Sequence, residues 1–142
     1  MNDATAVKLP SYPDLTAFDL GACQAFVGLL ESLWNARNVT PIMRVFAEDA
    51  EVEYADVPSI KGHAEIRSFL QGRFDGLSDY HLRKRLRLMM PPLLCIELNV
   101  RWSSLAAPKM IHRTRAFEIL TIAESRIAKW ELVSNPHPMR LK

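Results

Sequence analysis

Apolar residues recur along this chain with two rhythms, and the switch between them divides it. From Thr16 or Asp19 onward, Ala22, Phe26, Leu29, Leu30, Leu33 and Trp34 fall at helical spacing and predict a helix ending near Ala36–Asn38. Asn38 suits the left-handed residue that closes such a helix. Gly28 inside it costs about 1 kcal/mol relative to alanine, which predicts close packing against a neighbour. Thr40-Pro41 starts a short second helix with Ile42, Val45 and Phe46 on its buried side. That helix must stop by Asp49, because AEVEYAD alternates as a strand, with Val52, Tyr54 and Asp56 on one face. Ser59–Lys61 reads as a brief edge strand. The Lys61-Gly62 corner opens a third helix from His63, with Ile66, Phe69, Leu70 and Phe74 inward and a weak end at Gly72 and Gly76.

Beyond Gly76 the period becomes two. In Asp79–Met90, Tyr80, Leu82, Lys84, Leu86 and Leu88 alternate with a basic stripe, His81, Arg83, Arg85 and Arg87. Pro91-Pro92 breaks the strand. Leu93–Ser103 follows, then a turn at Ala106–Pro108, a strand over Met110–Ile122, a turn at Ala123–Ser125 and a last strand over Arg126–Ser134. Prolines fall at the boundaries. Three N-terminal helices followed by a run of antiparallel strands predict an α+β fold; helices packed on a strongly curved, mixed but mainly antiparallel sheet would leave a cone-shaped pocket. One domain spans residues 16–135, with a flexible arm at 1–15 and a tail at 136–142.

Composition narrows the function. The 142 residues suit a single core, and a net charge of +2 is too small to imply a polyanionic partner. The stripe on Asp79–Met90 lacks interleaved aromatics, so it reads as a solvated or oligomer face and no nucleic acid partner is expected. No apolar run reaches the length of a membrane span, and residues 1–15 lack the pattern of a signal peptide. Cys23 and Cys95 belong to no metal or redox motif and read as buried, reduced thiols, so a cytoplasmic location is expected. Metal spacings, phosphate loops and nucleophile elbows are absent from the sequence, which points to chemistry without a cofactor, or to none.

Four stretches carry a family resemblance: LWNARN closing the first helix, FAEDAEVEY, KGHAEIRSFL, and the final RIAKWELV. Together they resemble the nuclear transport factor 2-like superfamily, with its SnoaL-like polyketide cyclases and ketosteroid isomerases, over roughly Phe18 to Val133. The resemblance implies a small-molecule pocket and a cofactor-independent isomerase, dehydratase or cyclase that abstracts a proton next to a carbonyl. A non-catalytic ligand-binding or dimerisation module of the same fold is the alternative. Where the isomerases carry their general base, this chain has Tyr54, with Asp56 two residues further along the same strand face. The isomerase's helix tyrosine and late-strand acid have no counterpart, the corresponding positions being near Leu30 and Arg113, Arg115 or Phe117.

The candidate chemistry follows. Asp56, desolvated at the mouth of an apolar cone, is the candidate base. Tyr54 would donate to a developing oxyanion. The strand over Met110–Ile122 is ambiguous, because both of its faces mix apolar and polar residues. With the odd face inward, Arg113 and Arg115 clamp a carboxylate or enolate beside Phe117; with the even face inward, His112 is the rival acid–base group. The odd face is preferred because Phe117 and Ile119 continue it. Trp34, Trp102 and Trp130 would line or plug the cone against a small apolar or cyclic carbonyl-containing ligand. The open sheet face predicts a homodimer.

Overall fold

The computed structural model describes residues 11–54 and 57–134. In chain order it contains α1 (Leu20–Ala36), α2 (Val39–Ile42) continued by a 3-10 turn at Met43–Val45, β1 (Phe46–Tyr54), β2 (Ile60–Lys61), α3 (His63–Asp75), β3 (Leu77–Met90), β4 (Leu93–Ser104), β5 (Ala107–Ala123) and β6 (Arg126–Ser134). The strands form one sheet in the order β2-β1-β6-β5-β4-β3. Only β1 and β6 pair in parallel, so the α+β class and the mixed, mainly antiparallel sheet stand as expected.

The helix ends show where local signals compete. Asp19 caps α1, its carboxylate accepting from the Ala22 amide at 2.8 Å. Arg37, not Asn38, takes the left-handed closing conformation. Asn38 instead caps α2 by accepting from the Thr40 amide, so the helix starts one residue before Thr40 and Pro41 becomes its third residue. Gly62, at φ 84°, is the one glycine whose backbone favours it, at the entry to α3. The close packing expected at Gly28 is absent: a Cβ built there meets nothing within 4 Å.

One side of the sheet packs on the helices. Phe26 and Leu30 of α1, Ile66 of α3, and Val52, Leu82, Leu94, Ile96, Leu120 and Ile127 of the strands are essentially inaccessible. Each such side chain contributes about 1.5–3 kcal/mol of transfer free energy. The outer edge of β3 would expose unpaired amides and carbonyls. Helix α1 covers it. Asn35 donates to the Leu82 carbonyl and accepts from the Leu82 amide, both at 2.8 Å, and Glu31 accepts from the Lys84 amide at 2.8 Å. The polar residues near the end of α1 thus serve as surrogate strand partners.

Residues 11–15, expected in a flexible arm, pack on the β5–β6 turn, where Glu124 and Ser125 both have positive φ. The Tyr12 hydroxyl donates to the Ser125 carbonyl at 2.6 Å, the Leu15 amide donates to the Ser125 hydroxyl, and Leu15 is buried. The remaining arm (1–10) and tail (136–142) lie outside the described residues.

Candidate functional site

Between α3 and the concave side of the sheet lies a cavity of about 580 Å³. Its walls come from every layer. Trp34 projects from α1; Phe69, Gly72, Arg73 and Phe74 from α3; Tyr54 from the end of β1; Tyr80, Val100, Trp102, Thr114, Ala116, Trp130 and Leu132 from the long strands. The aromatic rings brace one another edge to face. Trp34 and Trp130 lie 5.7 Å apart between centroids, Tyr54 and Trp130 5.4 Å, and Tyr54 and Phe69 5.3 Å. The result is a stiff, mostly apolar enclosure with a few polar tips.

Those tips are donors. No hydrogen bond among the described residues engages the hydroxyl of Tyr54 or Tyr80, and neither is sealed off: Ser103 Oγ is the only fully enclosed side-chain polar atom without a partner among them. Burial raises the pKa of Tyr54, opposed by the nearby Arg73 charge and reinforced by Glu118. Burial raises Tyr80 further, with Tyr54 and Glu118 adding to it and Arg73 opposing. Both phenols are therefore protonated at neutral pH and available to donate. Thr114 accepts from the Trp102 indole at 3.2 Å, which leaves its own proton free. Among the described lining residues there is no carboxylate, imidazole, thiol or amine.

Behind this wall sits a buried ion pair. Lys84 Nζ lies 2.5 Å from Glu118 Oε1, with side-chain exposures of 2% and 1%. The Trp130 indole donates to Glu118 Oε2 at 2.9 Å, and Lys84 Nζ lies 5.0 Å from the centre of the Trp34 ring. One anion and one cation therefore hold the two tryptophans that form the cavity floor. Neither charge was singled out as a site residue from the sequence. The readable signal was a lone lysine among Tyr80, Leu82, Leu86 and Leu88, matched by a lone glutamate between Ala116 and Leu120.

The pair settles the face of β5. The even face is inward, and Ala116, Glu118 and Leu120 are buried. This corrects the preference for Arg113, Arg115 and Phe117 as cavity residues. Arg113 is exposed on the outer face opposite Arg101. Arg115 donates to Glu97 at 3.0 Å and lies over the Phe117 ring, itself on the outer side. Hydrogen bonds from Arg115, Asn99 and Arg87 hold the Glu97 carboxyl below the ordinary carboxylate range. The odd face misleads because its apolar Phe117 and Ile119 cover a sheet surface rather than a pocket. The even face looked too polar only because the partners of Glu118 are remote in sequence.

The other expected residues are distributed as follows. Trp34, Tyr54, Trp102 and Trp130 line the cavity. His112 stacks on Trp102, ring centres 4.2 Å apart, but is not a lining residue. Asp56 lies outside the described residues. Part of the basic stripe is spent locally, with Arg87 paired to Glu97. Cys23 is buried, and burial beside Asp19 raises its thiol pKa; both cysteines are free. Among the described residues no group of three or more His, Cys, Asp or Glu is placed to hold a metal, and no helix is long and apolar enough to cross a membrane.

A helix-lined cavity on a curved sheet of this order agrees with the family model that matches the sequence, the SnoaL-like domain, over residues 27–130. The chain belongs to the SnoaL-like domain family. The sequence matches no curated protein. Solved structures share the SnoaL-like fold at low identity. One is the epoxide hydrolase/cyclase-like enzyme SalBIII of pyran ring formation in the polyether salinomycin, with TM-score 0.73, 15% identity, and coverage of 83% of this chain and 94% of that one. Another is a provisionally assigned polyketide cyclase from Xanthomonas campestris pv. campestris, with TM-score 0.71, 16% identity, and coverage of 79% and 89%. A third, from Catenulispora acidiphila, has a ketosteroid isomerase-like fold and was crystallised with trimethylamine, with TM-score 0.66, 14% identity, and coverage of 72% and 79%.

Proposed function

We propose that this SnoaL-like chain takes a flat cyclic molecule bearing a carbonyl into its cavity and moves a proton next to that carbonyl without a cofactor. The observation that carries the reading is the pair of phenols, Tyr54 and Tyr80, without a hydrogen-bond partner among the described residues, on a wall of aromatic rings. They would donate to the carbonyl oxygen as negative charge develops on it. The described wall holds no base, so the base is Asp56, two residues beyond Tyr54. The cyclase-like structural neighbours support this class of chemistry.

The test uses 2-tetralone in deuterated buffer, following exchange of its α-protons by NMR. Wild type is expected to accelerate exchange. Asp56→Asn should remove roughly a hundredfold or more of that rate with its melting temperature unchanged. Equal exchange by Asp56→Asn and wild type would reject Asp56 as the base. The missing base in the described wall favours a second reading, a binding module without catalysis. Quenching of tryptophan fluorescence by the ketone with no gain in exchange would establish that reading.

The same reading includes a homodimer through the outer sheet face. Phe117 lies beside Val133 there, and Ile119 and Val133 are 41% and 69% exposed, too much apolar surface to be explained by the monomer's core. Arg83, Arg85 and Arg113 lie toward one end of this face, while at the other Glu51, Glu53 and Glu131 pair with Lys61 and Lys129, so the apolar surface carries the dimer reading.

A further inference from the structure

Arg73 is the only charged residue among the described groups that line the cavity. Its guanidinium carbon lies 4.5 Å from the centre of the Tyr54 ring and 5.1 Å from that of Phe69. These contacts hold the cation against the aromatic wall, and no hydrogen bond among the described residues uses its N–H groups. No ion pair among the described residues includes Arg73. The nearest acid on its own helix, Asp75, accepts instead from Gln71 at 2.7 Å. Placement in the last turn of α3 suits a cation electrostatically, and among the described residues its donor fork has no acceptor. Arg73 and its neighbour Gly72 are both exposed at the cavity, so the guanidinium is open to an incoming ligand. Among the described residues near the cavity, Lys84 and Glu118 pair with each other behind the wall.

We propose that Arg73 is the anchor of an anionic subsite, so that the cavity selects flat cyclic ligands carrying a negatively charged oxygen, either a carboxylate or an ionised enol. The ring lies against the tryptophans, and the charged oxygen sits on the Arg73 fork. A guanidinium held against aromatic rings can meet an oxyanion with two parallel hydrogen bonds. The selection rests on the cavity being a small-molecule site, and the experiment separates the two ideas.

All three tryptophans of the chain line the cavity, so ligand entry is read by quenching of intrinsic fluorescence. Three probes are titrated at constant ionic strength: 1-hydroxy-2-naphthoate, its neutral methyl ester, and 2-hydroxy-1,4-naphthoquinone as the ionised enol. Wild type is expected to hold the naphthoate roughly ten- to a hundredfold more tightly than the ester, the range of a charge-assisted hydrogen bond. Arg73→Gln should erase that ratio while keeping the ester's affinity and the melting temperature, and Arg73→Lys should restore part of it. Tight quinone binding assigns the subsite to enolates as well; quinone binding no tighter than the ester restricts it to carboxylates. Equal affinity for naphthoate and ester overturns the anionic subsite and leaves the small-molecule cavity standing. A naphthoate preference that survives in Arg73→Gln assigns the charge recognition elsewhere and overturns the role of Arg73. Failure of all three probes to quench overturns both.

Discussion

Replacing Lys84 with methionine removes one half of the ion pair beneath the cavity and keeps the length of the side chain. The lysine ammonium lies 2.5 Å from Glu118 Oε1, and both side chains are almost wholly buried. Without it the Glu118 carboxylate retains one neutral donor, the Trp130 indole at 2.9 Å. Leaving one member of a buried pair uncompensated costs about 3–5 kcal/mol. That is a large share of the roughly 5–15 kcal/mol holding a typical domain together. The backbone bond from Lys84 to Glu31 is untouched by the substitution, so the loss belongs to the charge. Glu118→Gln tests the same pair from the other side and keeps an acceptor for Trp130. Lys84→Met combined with Glu118→Gln leaves no buried charge and should lose less than the sum of the single variants, by about 2 kcal/mol or more. Urea denaturation followed by far-ultraviolet circular dichroism measures all four proteins. A loss below about 1 kcal/mol for Lys84→Met, or strict additivity in the cycle, would refute the claim that each buried charge depends on the other.

Three further outcomes follow from particular groups. Burial raises the pKa of all three tyrosines, Tyr12, Tyr54 and Tyr80, so absorbance titration of native protein should show phenolate forming only above the ordinary midpoint near 10. The unfolded chain loses these protons first, so stability is full below about pH 10 and falls as the pH climbs toward the raised native values; Tyr80→Phe should flatten that fall. Gly28→Ala occupies open space on α1 and should gain up to about 1 kcal/mol in urea denaturation, with no gain counting against an unstrained helix at that point. For the dimer, sedimentation at micromolar concentration should show two copies, and Val133→Glu should yield monomer; a wild-type monomer would refute the outer-face pairing.

Much of the fold is legible because its elements announce themselves locally. Alternation over Asp79–Met90 and Leu93–Ser103, with prolines between, specifies a hairpin whatever the rest of the chain does. The helical spacing from Phe26 to Trp34 is equally self-contained. What is not legible depends on partners far away. The parallel pairing of Val52 with Trp130 joins strands separated by most of the chain. The inward face of β5 is decided by Glu118 meeting Lys84, 34 residues away. Read alone, a glutamate argues for solvent and an arginine beside Phe117 argues for a binding face. Arg73 escaped notice because an arginine in the last turn of a helix already has a sufficient local reason to be there.

The distribution of charge around the cavity limits the chemistry it can support. Glu118 is close enough to oppose ionisation of Tyr54 and Tyr80, and Arg73 favours it. Burial and Glu118 together outweigh Arg73, so the phenols stay protonated and serve as donors rather than bases. Arg73 is likewise a donor only. A wall built this way stabilises negative oxygen and does nothing to remove a proton. A neutral ketone would need Asp56 to generate its enolate, whereas a ligand that arrives already ionised would be bound by the wall alone. On the proposed reading, the acidity of the ligand and the need for Asp56 are therefore linked. Probes that bind as anions should lose affinity with Arg73 and be indifferent to Asp56→Asn, while α-proton exchange in a neutral ketone should depend on Asp56.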